Sequence, residues 1–327
     1  MKSQQELFDL FLNELKKELK KIDESSPNGL YKPVSYTLDM GGKRLRPLLV
    51  LTAANLFSEK VDEALPVATA IEIFHNFTLL HDDLMDNASV RRGKPTVHLK
   101  FNPNTAILSG DAMMILANEY LAKSPGEKLP EVLKLFSRTA LEVCEGQQYD
   151  MDFESRMDVT VDEYIEMIRL KTAVLIAGAL KLGAIIGNAP EQQANLLYDF
   201  GINIGLAFQL QDDWLDVYGD PDVFGKKIGG DILSNKKTFL LLKAMEKLQG
   251  EKKEQLQTWI TEESFLPEEK IEAVTQLYNE ASVSEEAQKL MLHYHDEALK
   301  CLADLEVEEI NKKDLVDLAE QVMSRIS

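Results

Sequence analysis

The chain has 327 residues, 45% of them hydrophobic and 28% charged, with a formal net charge of −19 at pH 7. That excess of carboxylates argues against nonspecific binding to nucleic acid or to an anionic membrane surface, so any phosphate-binding cations must be concentrated locally. The N-terminal stretch is polar and lacks the apolar core of a signal peptide, and the longest apolar run, Val174 to Ile186, contains Lys181 and is too short to span a bilayer. A cytoplasmic protein with no integral membrane segment is expected.

Apolar residues recur at helical spacing along most of the chain, and prolines punctuate them. Helices are predicted at 3–22, 44–57, 64–87, 104–123, 130–153, 161–187, 190–219, 235–248, 269–304 with a break near Val283, and 312–326. No alternation is long enough for a strand. The predicted class is all-α: a single domain over 1–327, built as a bundle of about ten or more mostly antiparallel helices around a central cavity. Segments 64–87 and 174–187 are apolar nearly all round, as central helices are. Cys144 and Cys301 read as buried thiols rather than a disulfide or a metal pair.

Candidate chemistry begins at Gly41-Gly42-Lys43-Arg44-Leu45-Arg46-Pro47, where two glycines precede three basic residues at a helix start. Such a pattern suits an anion, and serves equally as a turn with solvated cations. His75 lies two turns before Asp82 on the same face. Taken alone, such a histidine is more often a hydrogen-bonded core residue, here with Glu72 or Asn76 in reach.

The stretch Leu79-Leu80-His81-Asp82-Asp83-Leu84-Met85-Asp86 then closes an apolar helix with three carboxylates. Asp82 and Asp86 share a face and Asp83 lies about 100° round. Acidic clusters are usually solvated helix faces, but these carboxylates repel one another and oppose the macrodipole at a helix C-terminus, so they call for cations. Hard oxygen donors with few Cys or His nearby favour Mg²⁺, and the forked donors of Arg91 and Arg92 just beyond suit phosphate.

Arg169-Leu170-Lys171-Thr172-Ala173 puts a lysine and a hydroxyl into an apolar helix. A substrate phosphate would accept from Lys171; snorkelling toward a helix end is the plainer alternative. Gln209-Leu210-Gln211-Asp212-Asp213-Trp214-Leu215-Asp216 repeats the Asp-Asp-x-x-Asp spacing, with Gln209, Asp212, Asp213 and Asp216 on one stripe. Two such clusters far apart in sequence predict two walls of one cavity for metal and diphosphate. A glycine- and lysine-rich loop follows, from Gly225-Lys226-Lys227 to Lys236-Lys237-Thr238, and it fits neither nucleotide-binding glycine motif.

In this order the motifs, together with Arg91-Arg92-Gly93 and Gly146-Gln147-Gln148-Tyr149-Asp150, resemble those of the trans-isoprenyl diphosphate synthases (polyprenyl synthetases) of short-chain type, from about Gly41 to Lys237. The resemblance implies the isoprenoid synthase fold and head-to-tail condensation of isopentenyl diphosphate with dimethylallyl, geranyl or farnesyl diphosphate. It implies that Asp82, Asp86 and Asp212 bind three Mg²⁺ ions on the allylic diphosphate, with Asp83 and Asp216 behind them. By the same resemblance Arg91, Lys171, Lys226 and Lys236 contact that diphosphate, while Lys43, Arg46, His75 and Arg92 form the isopentenyl diphosphate pocket. Thr172 and Gln209 match the groups facing the developing allylic cation. Spacing to Asp231 favours Lys226 over Lys227.

Product length in the family is set upstream of the first cluster, here at Phe77 or Thr78. A single aromatic at Phe77, with no insertion in the cluster, is similar to archaeal C20 synthases. Geranylgeranyl diphosphate is therefore the expected product, with C15 farnesyl diphosphate the alternative; an ideal wheel, however, puts Thr78 nearer the Asp82 face. A homodimer is also implied. The rivals are a terpene cyclase, which would replace the second cluster with an Asn/Ser/Glu-type triad, and a noncatalytic synthase subunit, which tends to lose a cluster. The presence of both clusters opposes each.

Overall fold

The computed structural model describes residues 1–220, 228–261 and 264–323. Its helices are α1 (Gln4–Asp23), α2 (Asn28–Leu38), α3 (Leu45–Phe57), α4 (Leu65–Met85), α5 (Val97–Lys100), α6 (Pro103–Leu121), α7 (Leu129–Ser155), α8 (Val161–Ile168), α9 (Val174–Ile186), α10 (Glu191–Tyr218), α11 (Gly230–Leu233), α12 (Phe239–Lys247), α13 (Gly250–Thr261), α14 (Pro267–Glu280), α15 (Val283–Ala303) and α16 (Glu309–Met323). Arg169–Ala173 forms a π turn joining α8 to α9. Two-residue strands, β1 (Val90–Arg91) and β2 (Lys94–Pro95), pair antiparallel in a hairpin. The architecture is all-α, as the apolar periodicity requires, and among the described residues no helix is long and apolar enough to cross a membrane.

The chain divides into two compact units. One comprises Met1–Ser137, Gly178–Leu197 and Glu306–Asn311; the other comprises Arg138–Ala177, Tyr198–Leu305 and the chain from Lys312 onward. In the first unit α4 is buried continuously from Val67 to Phe74, and α3 from Pro47 to Leu56, so both are apolar on nearly every side. Close backbone approach adds to this packing: a methyl added at Gly183 on α9 would sit 2.1 Å from the Val50 carbonyl oxygen on α3. The second unit is built on Phe153, Tyr164, Phe239, Leu240, Tyr278 and Met291.

Local chemistry sets the helix starts. Ser3 and Glu6 form a reciprocal capping box at α1, Thr160 and Glu163 do the same at α8, and Asn102 caps α6 ahead of Pro103. Several features differ from the periodicity, among them the short helices α5 and α11 and the β1–β2 hairpin. The helix expected over 161–187 carries the π turn, and the one expected from 235 begins at Phe239, where the Thr238 hydroxyl caps it. Helix α2 was not expected because Pro33 reads as a break. Inside α2, Pro33 forfeits one backbone hydrogen bond, while Val34 and Leu38 stay buried. Helix α13 fully buries only Leu256, with Trp259 and Ile260 partly buried beside it, a stripe confined to its last turns.

Cys144, expected to be buried, is exposed, and Cys301 is partly so. The buried stripe of α7 is Val132, Phe136, Ala140 and Val143, and Cys144 follows it about 100° round the helix.

Candidate active site

In the first unit the site is organised by the C-terminal turn of α4, where Asp86 is the cap residue. Asp83 is only 4% exposed. It tolerates burial because Arg91, returning from β1, donates from Nε and Nη2 to Asp83 Oδ1 at 2.9 and 2.6 Å. The same Nη2 lies 3.7 Å from Asp82 Oδ2. The hairpin turn, with Arg92 and Gly93 at φ of 52° and 74°, aims Arg91 back at α4. Burial opposes the Arg91 charge, but the hydrogen bonds to Asp83 and the charges of Asp83, Asp82 and Asp86 hold its pKa above the ordinary value. Arg91, expected on the diphosphate, here balances the first aspartate cluster.

The glycine-basic loop folds onto α4 through a buried ion pair. Arg44, in the left-handed conformation at φ 50°, places its guanidinium on Glu72 and donates to the Leu38 carbonyl at 2.6 Å. Asn76 Nδ2 donates to Glu72 Oε1 at 2.9 Å. Glu72 and Asn76 are therefore committed to Arg44 and to each other, and His75 finds a different partner: its Nε2 lies 3.1 Å from Arg46 Nη1. Arg92 donates to the Gly41 carbonyl. Its guanidinium packs so closely on Gly42 that a Cβ there would lie 2.7 Å from Arg92 Cζ.

Burial and neighbouring cations both act on the charges of this cluster. Burial drives the His75 pKa well below 6.5, and Arg46, Arg92, Arg91 and Arg44 lower it further. Burial also brings Arg46 down to about 10. The Arg46 Nε is buried without a hydrogen-bond partner. A donor in that state requires an acceptor from outside. Arg46, His75 and Arg92 are thus brought together, with Lys43 on the same loop.

Thr78 spends its hydroxyl on the His75 carbonyl at 2.8 Å. The Phe77 ring centroid lies 5.7 Å from Phe74 and 4.8 Å from His81. His81 is wedged against α6, its Nε2 3.2 Å from the Ile107 carbonyl and in the space where a Gly110 side chain would be.

In the second unit the π turn sets the site. A five-residue hydrogen bond from the Val174 amide to the Arg169 carbonyl widens the helix at Lys171 and Thr172. Lys171 Nζ donates to Asp150 Oδ2 on α7 at 2.5 Å. Thr172 Oγ1 donates to Gln209 Oε1 on α10 at 3.0 Å. Gln209 Nε2 donates to Asp213 Oδ1 at 2.9 Å, and the Tyr164 hydroxyl donates to Asp213 Oδ2 at 2.5 Å.

Asp216 accepts from the Asp231 amide at 2.9 Å, and Lys236 lies 3.8 Å from Asp231. Burial pushes Asp231 up to about 7, against the pull of Lys236. For Lys236 the balance reverses: burial opposes its charge, but Asp213, Asp231, Asp150 and Asp212 hold it well above the ordinary value. Lys226, together with Lys227, lies outside the described residues. Asp150, Tyr164 and Asp231 were not singled out as site residues. Asp150 ends the Gly146-to-Asp150 motif, whereas Tyr164 gave no sequence signal beyond an amphipathic helix.

The donor chemistry fits Mg²⁺. Asp82 and Asp86 stand one turn apart at the end of α4, and Asp212 is partly buried near the end of α10. Among the described residues no three candidate ligands form a closed cage.

Comparison with known proteins places this geometry in a family. The polyprenyl synthetase family matches residues 27–280. A geranylgeranyl diphosphate synthase of Methanosarcina mazei is 44% identical over 232 residues, covering 69% of this chain and 72% of that protein. A geranylfarnesyl diphosphate synthase of Natronomonas pharaonis is 41% identical over 239 residues, covering 67% and 70%. A crystal structure of geranylgeranyl pyrophosphate synthase superposes with a TM-score of 0.93 at 47% identity, over 99% of both chains. The chain belongs to the polyprenyl synthetase family and is a prenyltransferase.

Proposed function

We propose that this enzyme joins isopentenyl diphosphate head to tail with an allylic diphosphate and stops at the C20 product, geranylgeranyl diphosphate. The observation that carries the reading is the pocket of Arg46, His75 and Arg92, with a buried arginine donor lacking an acceptor. A cyclase, which takes one allylic diphosphate, has no use for that second anion site.

In this reading Lys43, Arg46, His75 and Arg92 hold isopentenyl diphosphate. Lys171, Lys226 and Lys236, with Arg91, serve the allylic diphosphate, for which Asp150, Asp231 and Asp83 are the resting partners seen on three of these cations. Asp82, Asp86 and Asp212 are the Mg²⁺ ligands, three ions being expected, and Asp83 and Asp216 stand behind them. When bound, Mg²⁺ supplies positive charge that stabilises the leaving diphosphate more than the ground state. Thr172 and Gln209 offer oxygen lone pairs to the allylic cation. The condensed product loses a proton, which the departing diphosphate accepts in this reading.

Support for C20 comes from Phe77 and from the names of the Methanosarcina relative and the solved structure. The Natronomonas name shows that a C25 product occurs at similar identity, so the product must be measured. Division points between the two compact units fall inside α7, α9 and α10, which supports reading the chain as one domain. A cytoplasmic homodimer belongs to the same proposal. Water-soluble diphosphate substrates favour the compartment, and exposed Ile107, Leu108 and Ile115 on α6 favour self-association. The test is condensation of labelled isopentenyl diphosphate with C5, C10 and C15 allylic diphosphates in Mg²⁺. Failure with all three primers from folded protein overturns the reading.

A further inference from the structure

Tyr164 is 1% exposed and Asp213 3%, and neither has a role in the scheme above. A buried phenol beside a buried carboxylate is costly unless every polar atom is satisfied, and here each one is. The phenol donates its hydrogen to Asp213 Oδ2, at 2.5 Å. Asp213 Oδ1 accepts from Gln209 Nε2 at 2.9 Å.

An amide's two ends are distinguished only by such a network. With its nitrogen committed to Asp213, Gln209 must turn its oxygen toward Thr172, whose hydroxyl donates to it at 3.0 Å. Donation in that direction leaves the Thr172 oxygen lone pairs, and one on Gln209 Oε1, without a hydrogen of their own. A reversed amide would present N–H groups instead, the wrong polarity beside a developing cation.

We propose that Tyr164 and Asp213 are positioning residues that fix the polarity of the Gln209 amide, so that Gln209 and Thr172 present oxygen rather than N–H to the allylic cation. The role rests on the prenyl-transfer reading given above, and neither residue touches the substrate. Tyr164 acts on Asp213, Asp213 on Gln209, and Gln209 on Thr172.

The experiment compares steady-state kinetics of Tyr164→Phe, Gln209→Met and the double variant, with isopentenyl and farnesyl diphosphates in Mg²⁺ and circular dichroism to check folding. Tyr164→Phe is expected to lower kcat by about tenfold and to leave both KM values within about twofold, because it touches a step after binding. In the Gln209→Met background the same change is expected to cost less than about twofold, since no amide is left to orient.

Asp213→Asn is the second probe. Its neutral amide no longer accepts from both Tyr164 and Gln209 as the carboxylate does, so the Gln209 orientation is no longer fixed and kcat should fall, by less in the Gln209→Met background; this pair carries the test if Tyr164→Phe does not fold. An unchanged kcat in Tyr164→Phe, or an equal loss with and without Gln209, overturns the inference while leaving the prenyl-transfer reading intact. Absence of condensation by the unsubstituted enzyme overturns that reading instead.

Discussion

Gly146 of α7 and Lys171 of the π turn are in direct backbone contact: a methyl group added at Gly146 would lie 2.3 Å from the Lys171 amide nitrogen. On the other side of the turn, a methyl at Gly205 of α10 would lie 2.5 Å from Ala173 Cα. One helical turn beyond each glycine stands the partner of a site residue, Asp150 for Lys171 and Gln209 for Thr172. The two glycines let α7 and α10 clamp the widened turn, and the clamp delivers both side chains.

Substitution at these glycines should reverse the usual helix preference. Gly→Ala inside a helix ordinarily stabilises by roughly 0.5–1 kcal/mol. Gly146→Ala and Gly205→Ala are expected to destabilise by about 1–3 kcal/mol, as overpacking does, and to lower kcat as well. Thermal melts and kinetics on each variant check this.

If Arg46, His75 and Arg92 hold isopentenyl diphosphate as proposed, a change there separates the binding of the two substrates. Arg46→Lys keeps the charge but loses the fork and the contact with His75 Nε2. The KM for isopentenyl diphosphate should rise by about tenfold or more while the KM for the allylic primer stays within about twofold. Initial-rate kinetics with each substrate varied in turn distinguishes the two.

His75 makes stability depend on pH. Its native pKa is held well below 6.5 by burial and four arginines. Below about pH 6.5 the unfolded chain therefore binds a proton that the native state does not, and stability falls by up to about 1.4 kcal/mol per pH unit. His75→Gln cannot bind that proton, so the drop in melting temperature between pH 7 and pH 5 should be smaller than in the parent enzyme. An identical pH profile would remove His75 from the account.

If Asp82 and Asp86 are Mg²⁺ ligands as proposed, the first aspartate cluster trades stability for metal binding. Asp82→Asn removes one of three clustered carboxylates while Arg91 keeps its closer partner Asp83. Without metal its melting temperature should not fall, whereas its condensation rate in Mg²⁺ should fall by about a hundredfold or more. Chelation of Mg²⁺ should abolish turnover in the parent enzyme, and Mg²⁺ added back should restore it. Calorimetric melts and chelator titrations read both arms.

Much of this site was legible as residue type and spacing. Taken singly, the two Asp-Asp-x-x-Asp clusters and the Gly41-to-Pro47 loop also suit solvated helix faces and turns, and it is their joint order along the chain that carries the family resemblance. The partners were hidden. Nothing in the order of residues says that Arg91 returns to Asp83, that Arg44 occupies Glu72, or that Tyr164 reaches Asp213, because each pairing is made by the fold across at least eight positions.

The π turn was invisible for a different reason. It widens the helix without changing the apolar content of 161–187, and only the glycines facing it, on other helices, hint that something wider must fit. Pro33 hides helix α2 from the sequence because proline ordinarily stops a helix, whereas here the burial of Val34 and Leu38 offsets the one hydrogen bond lost. Helix α13 has only a short stripe, Leu256, Trp259 and Ile260, behind a charged first half.

The most direct test of prenyl transfer is the chain length made from isopentenyl diphosphate and C15 farnesyl diphosphate in Mg²⁺, for the parent enzyme and for Phe77→Ala. The parent should add one unit and stop at C20. Removing the ring that packs on Phe74 and His81 should let the chain grow longer. Folded protein that condenses nothing, with any allylic primer, would contradict the account.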